Sequence, residues 1–289
     1  MKLCLSCNST FDGVSWKCPK CGSSPSKREG FEVFAPELAD QGDGFSADYF
    51  KGLAKYEAGN FWFESRNRLI AWALKTYFPS AKSFMEVGCG TGFVISYLHS
   101  TFPQLSFTGS EIFVAGLRFA KQRTKSVSLL QMDARHVPFS EEFDVVGAFD
   151  VLEHIEEDEE VLAQLFRATK PGGGIIITVP QHKWLWSQVD DLSYHKRRYS
   201  RKQLVDRVKA AGFEVRKVTS FVSFLLPLML LSRLRKRKAN IDLQEEFKIG
   251  ARANAILSTF MNLEANAIYA GGAFPAGGSL LLIAAKPGA

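Results

Sequence analysis

The stretch Phe84–Phe93 reads Phe-Met-Glu-Val-Gly-Cys-Gly-Thr-Gly-Phe, and it decides the fold of this chain. An apolar run that contains Glu86 leads directly into Gly88, Gly90 and Gly92. Glycine adopts backbone angles that other residues avoid, and it lets a ligand approach the main chain closely. A strand that turns through such a loop into a helix presents free N–H groups and the positive end of the helix dipole. The stretch therefore predicts a nucleotide-binding loop.

Strands and helices alternate on the C-terminal side of this loop. The predicted strands cover residues 83–87, 105–110, 127–131, 143–149, 174–179, 213–219 and 279–285. The predicted helices between them cover residues 92–101, 114–124, 158–169 and 201–211. This alternation is typical of an α/β fold with a mostly parallel sheet and helices on both faces. Residues 46–78 are also predicted to be helical, and their aromatic face either caps the sheet or covers a ligand.

Four predicted strands end in, or are followed by, an acidic residue, namely Glu86, Glu111, Asp133 and Asp150. Ligands of parallel α/β sheets bind at the carboxyl ends of the strands. We therefore expect these four carboxylates to face one site.

The spacing of the glycines indicates which nucleotide the loop holds. A dinucleotide fold needs G-x-G-x-x-G, but Phe93 stands where the third glycine of that motif would be. Glu86 would repel a pyrophosphate, whereas it could attract a cationic ligand that lacks phosphate. Glu111 is placed to accept hydrogen bonds from ribose hydroxyls, and Asp133 from an exocyclic amine. Together these features predict S-adenosylmethionine.

The ordered set of motifs resembles the class I S-adenosylmethionine-dependent methyltransferases over about residues 45–220 and the final strand. The resemblance implies a Rossmann-like, seven-stranded, mostly parallel sheet whose last strand is antiparallel, and residues 279–285 fit that strand. It also implies donor contacts from the acids and glycines named above. We accordingly expect a methyltransferase domain over residues 46–289.

The stretch Asp150-Val-Leu-Glu153-His154 resembles the ubiquinone-biosynthesis O-methyltransferases, in which an acid followed by Glu-His is associated with magnesium near a catechol-like acceptor. Carried over, Asp150, Glu153 and His154 would be catalytic residues that hold Mg²⁺, although this chain has Asp where those enzymes have Glu. His154 could instead be a general base. A third interpretation is an acid-rich helix start without a catalytic role. Methyl transfer mainly needs donor and acceptor held in line, so a base is not required.

A basic and aromatic loop, His195-Lys-Arg-Arg-Tyr199, follows the fifth predicted strand. Its position predicts that the loop forms one side of the binding site for the methyl acceptor. Arg197 and Arg198 would bind a phosphate or carboxylate of the acceptor, and His195 and Tyr199 would lie beside it. The alternative is a solvated basic helix start.

Two Cys-x2-Cys knuckles lie near the N-terminus, formed by Cys4, Cys7, Cys18 and Cys21. Four thiolates suit tetrahedral zinc and leave no open position for catalysis, so we predict a structural site. The alternative is four unrelated reduced cysteines. Residues 1–26 are predicted to form a zinc-ribbon-like head, and residues 27–45 a linker.

An apolar segment, Phe221–Leu231, precedes a basic cluster formed by Arg233, Arg235, Lys236, Arg237 and Lys238. The segment belongs to a predicted helical insertion over about residues 221–270, and it is too short to span a bilayer. Residues 221–238 therefore form either an interfacial membrane anchor or part of the acceptor pocket.

The amino-acid composition limits the classes of protein to which this chain can belong. Hydrophobic residues make up 46% of the chain and charged residues 23%, which excludes a largely disordered protein. The net charge of +6 is concentrated in two basic clusters, which suggests an anionic ligand or a membrane surface. No export signal is visible, and this favours a cytoplasmic protein that could associate with a membrane. We expect a methyltransferase that acts on a small-molecule or lipid-linked acceptor, with O-methylation favoured. The alternative is an RNA- or protein-directed enzyme that grips its substrate with the zinc head and basic clusters, but nucleic-acid recognition motifs are not visible.

Overall fold

A computed structural model of the chain describes residues 1–40, 47–236 and 248–288. The strands are β1 (Lys2–Leu3), β2 (Thr10–Phe11), β3 (Ser26–Arg28), β4 (Phe31–Val33), β5 (Ser83–Val87), β6 (Ser106–Glu111), β7 (Ser128–Gln131), β8 (Phe143–Phe149), β9 (Thr169–Pro180), β10 (Glu214–Phe221) and β11 (Ser279–Ala285). The α-helices are α1 (Ala47–Tyr56), α2 (Phe61–Tyr77), α3 (Phe93–Thr101), α4 (Val114–Arg123), α5 (Asp158–Ala168), α6 (Gln188–Leu192), α7 (Arg201–Ala210), α8 (Leu226–Lys236) and α9 (Ala251–Tyr269).

The main sheet runs in the order β10-β11-β9-β8-β5-β6-β7-β4-β3. The strands β5 to β9 pair in parallel, whereas β11 is antiparallel to both β9 and β10. The predicted Rossmann-like sheet with an antiparallel last strand is therefore confirmed, and β4 and β3 add two strands to the seven that were predicted. Six of the seven predicted strands begin within one residue of the observed start, and β9 begins five residues before the predicted one.

Helices cover both faces of the sheet because the central strands are apolar on both sides. Phe84 and Ile176 face one buried core, while their neighbours Met85 and Ile177 face the other. All four side chains are fully buried. With both faces covered, the loops at the carboxyl ends of the strands are where a ligand can reach the sheet.

The interpretation of residues 27–45 as a linker is wrong for residues 27–40. Residues 41–45 lie outside the part of the chain that the structure describes. The strands β3 and β4 extend the sheet beyond β7, with Glu32 opposite Leu130 in parallel register. Gln131 fixes this edge, because its side-chain amide accepts from the Ala35 N–H at 3.0 Å and donates to the Ala35 carbonyl at 2.8 Å. These strands have three residues each, too few to show a periodic pattern in the sequence.

The predicted helical region 46–78 is two helices rather than one. Gly59 adopts a φ of +77°, and the Asn60 side chain caps α2 by accepting from the Trp62 N–H at 3.0 Å. The break turns α1 away from α2, and both helices then contribute residues to the same cavity.

The region between β10 and β11 contains α8 and α9, and residues 237–247 of the predicted insertion, including Arg237 and Lys238, lie outside the description. Glu264 of α9 accepts hydrogen bonds from the N–H groups of Ser223 at 2.7 Å and Phe224 at 2.9 Å. Within the described part of the chain, none of the helices combines the length and apolarity needed to cross a membrane.

Candidate functional site

A cavity of about 730 Å³ opens at the carboxyl ends of β5, β6, β7 and β8, a size typical of small-molecule sites. It brings together ten of the residues predicted from the sequence, namely Glu86, Gly88, Gly90, Glu111, Asp133, Asp150, Glu153, His154, His195 and Arg198. Gly92, Arg197 and Tyr199 are not part of its lining.

The three glycines of the loop have positive φ angles, but they serve different purposes. A Cβ at Gly88 would lie 2.5 Å from Cγ2 of Val151, and a Cβ at Gly92 would lie 2.8 Å from Ala120. These two glycines therefore permit close packing. A Cβ at Gly90 would meet nothing within 4 Å, so this residue presents bare backbone to the cavity.

Glu111 shapes this loop from the end of β6. One carboxylate oxygen accepts from the Gly90 N–H at 2.9 Å, and the other accepts from Ile112 at 2.9 Å and Phe113 at 3.2 Å. Burial raises the pKa of Glu111, and the backbone hydrogen bonds partly offset this rise. The acid that the sequence predicts at the ribose thus also fixes the glycine loop.

Glu86 is the least compensated carboxyl at the donor end. It is 2% exposed, and its Oε2 atom has no hydrogen-bond partner among the residues that the structure describes. Burial raises its pKa well above the ordinary value; nearby Arg66 opposes this rise and Glu111 adds to it. Since a buried carboxylate oxygen without a hydrogen-bond partner is costly, a cationic ligand in the cavity would stabilise the charged form of Glu86.

Asp133 already has a partner in the structure. Arg135 donates to it from its backbone N–H at 2.9 Å and from Nε at 3.0 and 3.1 Å. Burial opposes ionisation, but the hydrogen bonds from Arg135 outweigh it and hold the pKa of Asp133 below its usual range. Contact between Asp133 and an exocyclic amine therefore stays a prediction.

The predicted magnesium set of Asp150, Glu153 and His154 does not fit the structure. Arg66 donates to Asp150 Oδ2 at 2.5 Å, and Thr178 donates to the same atom at 3.3 Å. The Asp150 carboxylate is therefore neutralised by a guanidinium rather than available to a cation. Magnesium also prefers oxygen ligands, which His154 cannot supply.

Glu153 and His154 meet His195 at the acceptor end of the cavity, where one nitrogen or oxygen atom of each lies within 4.8 Å of the others. Glu153 is fully buried, and neither carboxylate oxygen has a hydrogen-bond partner in the described part of the chain. Burial, reinforced by Asp150, raises the pKa of Glu153 well above its ordinary value. Burial and the neighbouring His195 ring lower the pKa of His154 to about 3, which makes His154 a weak base.

Asp190 contacts two of the candidate site residues, and the sequence analysis did not assign it. It is fully buried, and its Oδ1 atom lies 2.9 Å from Nδ1 of His195 and accepts from Nε of Arg198 at 2.6 Å. Burial opposes ionisation of Asp190, but His195 and Arg198 hold its pKa well below the usual range. The carboxylate fixes the orientation of the His195 ring and leaves Nε2 for a ligand. The five-residue spacing from Asp190 to His195 is the signal that could have revealed this pair.

Two residues predicted to bind substrate have a structural role instead. Arg197 donates to the carbonyl of Ile155 at 2.9 Å and pairs with Asp158 at 3.0 Å. The Tyr199 hydroxyl donates to Asp158 and lies 3.3 Å from the carbonyl oxygen of Leu152. Both side chains fasten the loop after β9 to the start of α5, so neither reaches the cavity.

Aromatic residues from the N-terminal helices cover the cavity, and the sequence analysis did not assign them individually. Tyr49 and Phe50 come from α1, and Trp62 and Phe63 come from α2. Met229 of α8 lines the opposite part. Both interpretations of region 46–78 therefore agree with its position, since α2 packs on the sheet in the core and also lines the cavity.

The N-terminal cysteines form two matching knuckles. Asn8 N–H donates to Cys4 carbonyl at 2.8 Å, and Gly22 N–H donates to Cys18 carbonyl at 2.9 Å. The Sγ atoms of Cys4 and Cys21 lie 3.6 Å apart, and those of Cys7 and Cys18 lie 3.7 Å apart. Tetrahedral zinc with Zn–S bonds of about 2.3 Å needs sulfur separations of about 3.8 Å, so the four thiolates fit this metal.

Residues 85–177 match a protein-family model described as "Methyltransferase domain". Among curated proteins, the chain is 32% identical to a phthiotriol/phenolphthiotriol dimycocerosates methyltransferase of Mycobacterium ulcerans, over 34% of this chain and 38% of that protein. It is 29% identical to the ubiquinone/menaquinone biosynthesis C-methyltransferase UbiE of Desulfotalea psychrophila, over 33% of this chain and 40% of that protein. The matches thus span about two fifths of each relative's length.

Solved structures share the fold. Phosphoethanolamine N-methyltransferase 2 of Haemonchus contortus, solved with S-adenosyl-L-methionine, matches with a TM-score of 0.55 and 21% identity, over 84% of this chain and 57% of that chain. An O-methyltransferase family protein of Burkholderia thailandensis matches with a TM-score of 0.52 and 14% identity, over 84% of this chain and 60% of that chain. The chain therefore has the Rossmann-like α/β fold of these methyltransferases, and residues 85–177 are the part that matches the methyltransferase-domain model.

Proposed function

We propose that this protein is an S-adenosylmethionine-dependent methyltransferase that acts on a lipid-linked or other apolar small-molecule acceptor at a hydroxyl oxygen. The observation that carries the proposal is the buried Glu86 carboxyl, which lacks a partner at Oε2 in the described chain and stands beside the bare backbone of Gly90. A cationic, phosphate-free nucleoside supplies the positive charge that this carboxyl lacks and needs the close approach that Gly90 permits.

The donor would supply an electrophilic methyl group on a sulfonium, and its C–S bond breaks as the new C–O bond forms, leaving a neutral thioether. The residues of the chain then have two tasks. The glycine loop and Glu111 hold the nucleoside, and the aromatic residues of α1 and α2 exclude water and align the acceptor. The proton of the acceptor hydroxyl passes to Nε2 of His195, because Asp190 orients that ring through its Nδ1 atom. Glu153 and His154 line the same end and position the acceptor.

The class of acceptor is proposed from two observations. The cavity wall is rich in aromatic and aliphatic side chains, including Tyr49, Trp62 and Met229. The mycobacterial relatives are named as methyltransferases of phthiotriol and phenolphthiotriol dimycocerosates, which are lipid-like substrates. We further propose that the N-terminal head binds structural zinc through Cys4, Cys7, Cys18 and Cys21, and that it contributes to folding rather than to chemistry.

Calorimetry of S-adenosylmethionine binding to the wild type and to Glu86→Gln tests the donor assignment. The amide keeps the shape of the side chain and removes its charge, so affinity should fall about tenfold or more. Gln203→Glu, a surface change on α7, is the control and should bind normally. Equal affinity in the wild type and in Glu86→Gln would remove Glu86 from the donor site.

A further inference from the structure

Exposed apolar side chains are concentrated on α8 and α9. Of the fourteen large apolar side chains exposed in the described residues, seven lie on or just before these two helices, namely Phe224, Leu228, Leu230, Leu231, Ile256, Phe260 and Leu263. Leu228 is 54% exposed and Ile256 is 59% exposed. Single exposed apolar residues are ordinary, whereas a contiguous group marks an interaction surface.

The residues on α9 form one outward stripe. Ile256, Phe260 and Leu263 follow each other at spacings of four and three, which places them on the same face of the helix. Met261 and Ile268 lie on the opposite face and are buried in the core. The core therefore accounts for only one apolar face of α9, and the second face lies towards solvent.

The start of α8 is tied to α9 by hydrogen bonds. Glu264, the residue after Leu263, accepts from the backbone N–H groups of Ser223 and Phe224 directly before α8. These bonds hold the backbone before α8 against α9, one residue from Leu263 of the outward stripe. We refer to the seven residues above as the α8–α9 patch.

The charged residues around the patch indicate which kind of partner it binds. The helix α8 contains no acidic residue and has Arg233, Arg235 and Lys236 in its last turn. The single acid of α9 is Glu264, which is 1% exposed, while Arg252 in the first turn is exposed. The segment thus combines exposed apolar side chains with the exposed Arg252 and with basic residues in the sequence of α8, and neither helix carries an exposed carboxylate among the described side chains. This combination is typical of proteins that bind the interface of anionic bilayers.

We propose that the α8–α9 patch docks this protein on an anionic lipid bilayer. Met229, on the same helix as Leu228, lines the cavity, so a docked molecule holds its acceptor pocket close to the bilayer surface. This relation to the pocket rests on the proposed action on a lipid-linked acceptor, whereas the docking itself rests on the surface alone.

Sedimentation of the full-length protein with phosphatidylcholine vesicles, with and without about 30% phosphatidylglycerol, tests the proposal. Binding is expected with the anionic vesicles and should weaken as salt is added. The double variant Ile256→Ser, Phe260→Ser should reduce the partition coefficient about tenfold or more, because two exposed anchors are lost without a change in the core. Val14→Ser, at a residue that is 99% exposed elsewhere, is the matched control and should bind like the wild type.

Three results would overturn the docking proposal. The first is no binding to anionic vesicles, and the second is equal binding by the double variant. The third is a wild-type dimer in light scattering that the double variant dissociates, which would make a second copy the occupant of the patch. Two further measurements separate the docking proposal from the proposed function, namely calorimetric affinity for S-adenosylmethionine and methylation of detergent-dispersed lipid. A protein that binds vesicles but shows neither donor binding nor methylation would contradict the proposed function and leave the docking proposal intact.

Discussion

Arg66 of α2 and Asp150 after β8 form a short ion pair, with Nη1 and Oδ2 2.5 Å apart, between a covering helix and the end of the central sheet. Their side chains are only 9% and 20% exposed. The guanidinium also lies over the Trp62 ring at 4.6 Å. This pair ties α2, which carries Trp62, to the end of β8. It also places a guanidinium next to the acidic side chains that line the cavity.

Replacing Arg66 with Met should therefore destabilise the protein and weaken donor binding. Loss of one partner leaves Asp150 partly buried without its cation, which costs about 2–4 kcal/mol. Urea unfolding of the wild type and the variant measures this change. Arg118→Met removes an exposed pair with Glu29 and should cost less than about 1 kcal/mol. Equal losses in the two variants would show that the Arg66–Asp150 pair has no special structural role.

Gly90→Val should abolish donor binding because its side chain enters the open space of the cavity. The positive φ of +53° adds a backbone strain of about 1–2 kcal/mol, which must be separated from the steric effect. Gly172→Val is the matched control, since Gly172 has a φ of +77° and open space around it but lies outside the cavity. Calorimetry should show loss of S-adenosylmethionine binding in the first variant only. If both variants bind normally while folded, the glycine loop is not the donor site.

His195→Gln should lower kcat by about a hundredfold or more, since it removes the proposed proton acceptor and keeps a polar side chain. Asp190→Asn should lower kcat less, because the ring remains but loses its orienting carboxylate. Affinity for S-adenosylmethionine should be unchanged in both. His136→Gln, at an exposed residue, is the control. An unchanged kcat in His195→Gln would exclude His195 from proton transfer.

Cys18→Ser should lose zinc and unfold the N-terminal head. The wild type should contain about one zinc equivalent per chain by mass spectrometry or atomic absorption, as four thiolates require. Cys89→Ser changes the cysteine of the glycine loop and should keep its zinc. A metal-free wild type with an intact head would contradict the zinc assignment.

The sequence was sufficient for the central sheet, because buried parallel strands leave long apolar runs between helices of ordinary length. It was insufficient for β3 and β4, whose short pairing depends on the Gln131 side chain 96 residues from Ala35. The donor-end acids could be predicted because each stands at a strand end. At the acceptor end, Glu153, His154 and His195 could be predicted, but the roles of Asp190 and Arg197 could not, because they depend on which way the loop after β9 folds.

The most direct test of the central claim uses methyl-labelled S-adenosylmethionine with separate lipid, soluble and RNA extracts of the host organism. Wild-type protein should transfer label to a compound in the lipid extract, and Gly90→Val should transfer none. Label in RNA, or in none of the extracts, would contradict the account, since the first result requires a different acceptor site and the second removes the proposed activity.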